Sequence, residues 1–347
     1  MRRTAPVLPA PLTAPEPTVV LLPVRNEERN LSSCLETLKA LRGVAEIRVV
    51  DDHSSDDTAA IARRFGAEDA RIRVLVAREL PPGWGGKLNA LATGLEAPPT
   101  IRTPWLLFTD ADTRHAPEVL AKAQAAACQH RLAAVSLAGF QRTLTLGEKL
   151  FVPLVFALLD GLLGSWKKQA RGEAKRSVAN GQFFLVRQES LAAIGGLGPI
   201  AGDLLDDVAL AEALRGRGYR VGFWRAGRGL EVQMYAGLKE AFLGWRRNLA
   251  LYLGRVRGRF RRVLTALSFP LLLFGGSLLG EPSSAWLWGY GLGVLGSLLL
   301  RSGEGWGWSI LWPLELALLL SAVGFAAYDR KRGWTVWRGR SIPLQRP

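Results

Sequence analysis

Asp110 and Asp112 stand one residue apart, after the short apolar run Trp105-Leu106-Leu107-Phe108 and just before Thr113. At the C-terminal tip of a buried strand, two such carboxylates can reach one divalent cation together. Mg²⁺ and Mn²⁺ prefer oxygen ligands and keep positions open for phosphate oxygens. The pair could therefore hold a nucleotide diphosphate through its metal. An Asp-x-Asp also occurs in solvated turns and helix caps, so the elements around it decide its meaning.

Those elements alternate. Thr18–Val24 is β-branched and apolar and predicts a buried strand, followed by a helix from about Leu31 to Leu41. Residues 46–52 predict a second strand, ending in Asp51 and Asp52. His53-Ser54-Ser55-Asp56-Asp57-Thr58, rich in N-cap residues, opens a second helix. A third strand spans 71–76, a helix starts near Lys87, and a strand at 104–109 delivers the Asp pair. Alternation of this kind predicts an α/β fold, a mostly parallel Rossmann-like sheet with helices on both faces. Ligands of such sheets bind outside the carboxyl ends of the strands. Asp51, Asp52, Asp110 and Asp112 all fall there, and four carboxylates on one rim repel one another unless a cation or hydrogen-bond donors join them.

Four motifs in order carry a resemblance. Pro23-Val24-Arg25-Asn26-Glu27-Glu28, Val49-Val50-Asp51-Asp52-His53-Ser54-Ser55-Asp56-Asp57-Thr58, Asp110-Ala111-Asp112 and Leu204-Leu205-Asp206-Asp207-Val208 together resemble the family-2 glycosyltransferases of GT-A fold, over roughly residues 18–250. Gly83-Trp84-Gly85-Gly86-Lys87, Asn180-Gly181-Gln182-Phe183, Gly244-Trp245-Arg246-Arg247-Asn248 and Trp337-Arg338-Gly339-Arg340 are similar to membrane-bound members that glycosylate carotenoids, hopanoids or ceramide. The resemblance implies an inverting hexosyltransferase that uses a UDP-sugar donor, a hydrophobic lipid acceptor, and Mn²⁺ or Mg²⁺.

Roles follow position by position. The resemblance implies that Asp112 holds the metal, with Asp110 near it or the ribose, and that Asp52 accepts from the uracil ring. Pro23 and Glu27 match residues beside the nucleoside. Lys87 offers a cation to a phosphate or an orienting group, and Gly85-Gly86 before it permits close backbone approach. Asn180, Gly181 and Gln182 are expected on the sugar or acceptor side; a plain turn is the alternative. Moving a sugar requires a base for the acceptor hydroxyl, and the acidic pair Asp206-Asp207 supplies one. Asp207 is the preferred base, although Asp-Asp replaces the commoner Glu-Asp. The run before the helix also suits N-capping, a role assigned to Asp203. Trp245 and Arg246 sit where processive relatives carry Gln-x-x-Arg-Trp. Its absence in that form favours transfer of one sugar over polymer synthesis.

The formal net charge of +15 is concentrated. Arg246, Arg247, Arg255, Arg257, Arg259, Arg261 and Arg262 form one block, and the tail from Asp329 forms another. Both flank the most apolar stretch of the chain, as juxtamembrane segments do near anionic headgroups, so no nucleic-acid partner is expected. Candidate membrane spans are 263–280, 283–300 and 306–328, the last containing Glu315. The two basic flanks favour an even number of crossings. Leu238, Phe242, Trp245, Leu249, Tyr252, Val256 and Phe260 recur at helical spacing and predict a basic amphipathic interfacial helix over 237–262. Residues 150–166 predict another helix dipping into the interface. The expected organisation is a disordered Pro- and Ala-rich arm (1–17), a GT-A catalytic domain (18–236), that interfacial helix (237–262), C-terminal α-helical membrane segments (263–328) and a basic cytoplasmic tail (329–347).

Cys34 and Cys128 have no metal-ligand spacing and fit a reducing compartment. The expected location is the cytoplasmic (inner) membrane, multi-pass, with the catalytic domain in the cytoplasm. Rival readings are a polyprenyl-phosphate glycosyltransferase, a nucleotidyltransferase and a nucleotide-sensing membrane scaffold. The absence of glycine in Pro23–Glu27 counts against the nucleotidyltransferase, and a scaffold would not need Asp207.

Overall fold

The computed structural model describes residues 6–175, 178–255, 290, 293–294, 310–337 and 340–344. They fall into two compact units, Met1–Phe140 with Ser165–Gln233, and Gln141–Gly164 with Met234–Pro347.

In the first unit, β1 (Thr18–Val24) leads to α1 (Leu31–Lys39) and β2 (Val44–Asp51) to α2 (Thr58–Glu68). β3 (Ile72–Val76) leads to α3 (Gly86–Glu96), and β4 (Trp105–Phe108) to a short β5 (Thr113–His115) and α4 (Val119–His130). β6 (Ala134–Gln141) enters the second unit through α5 (Leu146–Leu163). The chain returns with α6 (Trp166–Ala170), β7 (Phe184–Arg187), α7 (Gln188–Ala193), α8 (Asp206–Gly216) and β8 (Val221–Val232). β1 is buried almost throughout because helices cover both faces of the sheet. α1 turns Leu31, Cys34, Leu35 and Leu38 inward at spacings of three and four.

The strands form one sheet in the order β3-β2-β1-β4-β7-β6-β8-β5. β3, β2, β1 and β4 are parallel, as alternation predicts. Beyond β4 the expectation of a mostly parallel sheet fails: β7 runs antiparallel to β4 and to β6, and β5 antiparallel to β8. The sheet is mixed. The reversal has a local consequence. Phe184 at the start of β7 pairs with Phe108 at the end of β4, so the turn before β7 lies beside the loop after β4.

Two features brace the sheet at the end away from the site. Arg48 on β2 is fully buried and donates to the carbonyls of Gly94 (2.8 Å), Ala97 (2.7 Å) and Pro99 (2.6 Å). It thereby holds the C-terminal end of α3, whose N-terminus carries Lys87; a buried guanidinium is tolerated because Glu46 and these carbonyls satisfy it. The N-terminal segment also departs from the sequence reading. Residues 6–17, expected as part of a disordered arm, are tied to the unit. The Glu16 amide donates to Gln124 (2.9 Å), Gln124 donates back to the Glu16 carbonyl (2.9 Å), the Trp105 indole N–H donates to the Glu16 carboxylate, and Arg42 donates to the Thr13 carbonyl (2.7 Å).

The second unit takes in residues 141–164, which the sequence reading placed inside the 18–236 domain. It contains α5, α9 (Leu238–Arg255), α10 (Trp312–Arg332) and a hairpin of β9 (Trp334–Trp337) and β10 (Arg340–Pro343). Phe151, Val155 and Leu158 of α5, Trp245 and Leu249 of α9, and Leu316 and Leu319 of α10 share one buried cluster. The apolar stripe of α9, expected to face a bilayer, thus faces protein at Trp245 and Leu249. Among the described residues no helix is long and apolar enough to cross a membrane. The expected span 306–328 is represented by α10 from Trp312 onward, whose Glu315 and Asp329 are buried. Asp329 receives Arg246 through two guanidinium nitrogens, at 2.7 and 2.5 Å, and buried charges of this kind persist only when paired. Part of the expected tail completes α10 and forms the β9–β10 hairpin. The spans expected at 263–280 and 283–300, and the arginines from 257 to 262, lie outside the described residues.

Candidate active site

The site is built at the carboxyl ends of β1, β2 and β4, where the loops brace one another. Asn26 accepts from the Ser55 amide (2.8 Å) and its own amide donates to Ser54 Oγ (3.0 Å). The Glu27 amide donates to Thr58 Oγ1 (2.7 Å) and the Glu28 amide to Asp56 (3.2 Å). Asn26 and His53 hold left-handed backbone, φ 53° and 56°. Asp51 is committed to its own turn through Ser54 (Oγ 2.5 Å) and is a structural residue. Asp52 is not: Arg25 Nη1 donates to its carbonyl (2.9 Å) and to Oδ2 (3.0 Å). An added Cβ on Gly86 would lie 2.9 Å from the same Oδ2, so a larger residue there would displace that carboxylate. Pro23, next to last in β1, lies beside Val50.

A second group gathers around Lys87 at the start of α3. Its ammonium lies 2.8 Å from Asp110 Oδ1 and 3.2 Å from Asp206 Oδ2. Burial opposes that charge, but Asp110, Asp206 and Asp207 outweigh it, and the Lys87 pKa is raised. Asp207 follows at the first turn of α8, whose N-terminal amides favour negative charge. Its Oδ2 accepts from the Gly181 amide (2.9 Å) and Oδ1 from the Val208 amide (2.8 Å). Burial first, then Asp206, push its pKa up to about 7, against the pull of Lys87. Asp203 accepts from the Leu205 amide (3.0 Å), closing the turn before α8; the N-cap of that helix is Leu205, with no side-chain cap, so Asp203 does not play the capping role expected of it.

Gly181 is the closest approach in the site. A Cβ there would meet Lys87 Nζ at 2.7 Å and Asp110 Oδ2 at 3.6 Å. Asn180 and Gln182 spend their side chains on the turn itself: Asn180 Nδ2 donates to Gln182 Oε1 (2.8 Å), and the Gln182 amide donates to Asn180 Oδ1 (3.1 Å). The site-facing contribution of this segment is the backbone of Gly181. Trp245 and Arg246 lie in the second unit, Trp245 buried against Phe156 and Arg246 paired with Asp329.

Asp112 differs from its neighbours. Its Oδ1 is buried and has no hydrogen-bond partner. Burial first, then Asp110 and Glu27, push its pKa up to about 8. An orphaned carboxylate oxygen beside two further carboxylates is what a hard cation would satisfy, and the oxygen donor set fits Mg²⁺ or Mn²⁺. Among the described residues no group of three or more acidic, His or Cys side chains is arranged around one metal position, so phosphate oxygens and water would complete the coordination. Sequence reasoning missed three participants: Arg25 as the partner of Asp52, and Thr109 and His115 beneath the Asp110–Asp112 loop. A hydroxyl and an imidazole flanking the Asp pair were the available signal.

Comparisons agree with this geometry. The family model for glycosyl transferase family 2 matches residues 19–192. An uncharacterized protein of Methanocaldococcus jannaschii is 36% identical over 104 residues, 30% of this chain and 38% of that protein. The 4,4'-diaponeurosporenoate glycosyltransferase of Staphylococcus aureus is 31% identical over 93 residues, 27% of this chain and 23% of that enzyme. The alignments thus span well under half of either relative's length. In fold, the chain is similar to the mannosyltransferase PcManGT of Pyrobaculum calidifontis, solved with GDP-mannose and Mn²⁺. The TM-score is 0.58 at 20% identity, covering 92% of this chain and 90% of that one. With a family model matching half of its residues and a GT-A-like mixed sheet beneath the family motifs, the chain belongs to the family-2 glycosyltransferases.

Proposed function

We propose that the chain is an inverting, metal-dependent transferase that moves a hexose from a UDP-sugar to a hydroxyl or carboxyl on a membrane lipid of carotenoid, hopanoid or sphingolipid type, at the cytoplasmic face of the membrane. The observation that carries the reading is the meeting of Lys87, Asp110, Asp206 and Asp207 beside Asp112, whose Oδ1 is buried without a hydrogen-bond partner. Asp112, with Asp110 beside it, would hold Mn²⁺ or Mg²⁺, which when bound neutralises charge on the departing diphosphate. Lys87 supplies a fixed cation on the same side. Asp52, oriented by Arg25, offers an acceptor to the N–H of a uracil ring. Asp207, anchored by the Gly181 amide, takes the proton of the acceptor as it attacks the anomeric carbon, and a base with pKa near 7 is suited to that transfer at neutral pH.

The lipid acceptor is supported by the diaponeurosporenoate-glycosyltransferase relative and by apolar surface on the second unit. Leu144 and Leu146 at the start of α5, and Leu238 and Leu243 at the start of α9, expose their side chains. A long apolar acceptor drawn fully into water would lose about 25 cal/mol per Å², so a site served from the membrane surface is favoured. The test is to incubate the full-length chain with a membrane lipid extract and a panel of radiolabelled nucleotide sugars. Label from a UDP-hexose in a neutral or carboxyl-bearing lipid, lost with a chelator and restored by Mn²⁺, is expected. Label confined to polyprenyl phosphate would replace the acceptor. Label from GDP-sugars alone would replace the donor.

A further inference from the structure

Thr109 and His115 take no part in the proposed reaction, yet they are the buried polar groups behind it, 1% and 3% exposed. Thr109 Oγ1 has three neighbours: the Gln182 carbonyl at 2.7 Å, Thr113 Oγ1 at 3.2 Å and His115 Nε2 at 3.2 Å. A hydroxyl has one proton and two lone pairs. The Gln182 carbonyl can only accept, so it takes the Thr109 proton. Thr113 likewise gives its proton to the Asp110 carbonyl, at 2.6 Å. His115 Nε2 must then be the donor to Thr109, which leaves Nδ1 bare. Nδ1 is indeed the ring nitrogen that is buried without a partner. Burial lowers the His115 pKa to about 3, so the ring stays neutral.

Thr109, which precedes Asp110 in the chain, ties one side of the site to the other through its hydrogen bond to Gln182. Thr113 holds the Asp110 carbonyl, His115 orients Thr109, and Thr109 holds the Gln182 carbonyl. The adjoining Gly181 amide holds Asp207. Without the imidazole donor, the Thr109 hydroxyl is free to turn toward Thr113 and away from the Gln182 carbonyl. We infer that His115, as the neutral Nε2–H tautomer, is a positioning residue: through Thr109 it locks the metal-side loop, Asp110–Asp112, to the turn that holds Asp207. The inference rests on the reading that Asp112 holds the metal and Asp207 is the base.

Two measurements on the full chain test it. The chain has 3 histidines, His53, His115 and His130, so ¹⁵N spectra of histidine-labelled protein can be assigned by loss of one signal in His115→Gln. A neutral, Nε2-protonated ring that does not titrate between about pH 5 and 8, the usual histidine range, is expected. An Nδ1-protonated or titrating ring overturns the inference. Mn²⁺ affinity is then measured by calorimetry with UDP present. His115→Leu, which removes the donor, and Thr109→Val should each weaken Mn²⁺ about tenfold or more, the weight of groups supporting a metal ligand. The double variant should be little worse than either single one, as expected of one coupled unit. His115→Gln, whose amide N–H can reach Thr109, should stay within about threefold, since tenfold is 1.4 kcal/mol and a retained hydrogen bond forfeits less. His115→Leu binding like the parent, or His115→Gln failing as badly at an unchanged melting temperature, overturns the inference. If His115→Leu does not fold, Thr109→Val and the tautomer spectrum decide. A parent chain that binds no Mn²⁺ overturns the functional reading instead, while the spectrum still settles the hydrogen-bond assignment.

Discussion

At the residue scale, Asp207 and Asp112 are held where their charge is disfavoured. Both pKa values are raised, to about 7 and about 8, with burial the largest cause in each. As a base, Asp207 must be ionised, so kcat/KM for sugar transfer should rise with pH around a midpoint near 7, read from a pH–rate profile. Asp207→Asn should lose about 10²- to 10⁴-fold in turnover, the usual weight of a general base, while UDP affinity by calorimetry is kept. Full activity in Asp207→Asn with a dead Asp206→Asn would move the base by one residue. Raised carboxyl pKa values also fix the sign of a stability effect. Their contribution is fully present below the unfolded-state value near pH 4 and is lost as pH rises through 7 to 8. Asp112→Asn should therefore raise the metal-free Tm at pH 8.5, by about 2–4 °C for each kcal/mol recovered, and abolish any stabilisation by Mn²⁺. An unchanged Tm there, with Mn²⁺ still stabilising, would remove Asp112 as the metal residue.

At the element scale, the site depends on helix N-termini and a turn meeting at close range. α3 brings Lys87, α8 brings Asp206 and Asp207, and the turn before β7 brings Gly181. Gly181→Ala puts a methyl 2.7 Å from the Lys87 ammonium. The flexible lysine tip must move, which disturbs its 2.8 Å contact with Asp110. Turnover should fall about 10²-fold, the usual result of a 1 Å misplacement, with the melting temperature nearly unchanged. Gly86→Ala instead meets Asp52 Oδ2 at 2.9 Å, and Arg25 already fixes that carboxylate. UDP affinity should drop about tenfold, or 1.4 kcal/mol. A Gly86→Ala protein that binds UDP like the parent would show that Asp52 does not touch the nucleotide.

At the scale of the whole molecule, the second unit depends on an ion pair to the buried Asp329 and exposes leucines. Arg246→Ala would leave Asp329, buried at 4% exposure, with Thr335 as its remaining side-chain hydrogen-bond partner among the described residues. Stability should fall by about 3–5 kcal/mol, as when one member of a buried pair is removed, read by denaturant unfolding; a loss under 1 kcal/mol would mean that water reaches Asp329. The membrane reading is tested by Leu144→Glu with Leu243→Glu. The double variant should sediment with anionic vesicles less than the parent, and the parent's binding should weaken with salt over the screening range. Equal sedimentation would remove these leucines from any membrane contact.

The sequence alone determined the parallel half of the sheet, the rim on which Asp51, Asp52, Asp110 and Asp112 stand, and the family resemblance. Each of these is written locally. Apolar runs end in carboxylates, α1 repeats leucines at three and four, and the motifs follow in order. Only the tertiary structure decided the rest. The antiparallel insertion of β7 set Gly181 beside Asp110, and no periodicity reports the direction in which a strand pairs. Burial of Arg48 depended on three carbonyls 46 to 51 residues away. Residues 141–164 joined α9 and α10 because an apolar helix buries against whichever apolar face the fold supplies, and that face lies far along the chain. Lys87 came to stand between Asp110 and Asp206, and His115 under Thr109, for the same reason. Charge and proton positions in a site depend on distances across the fold, and sequence spacing carries those distances only within one helix or strand.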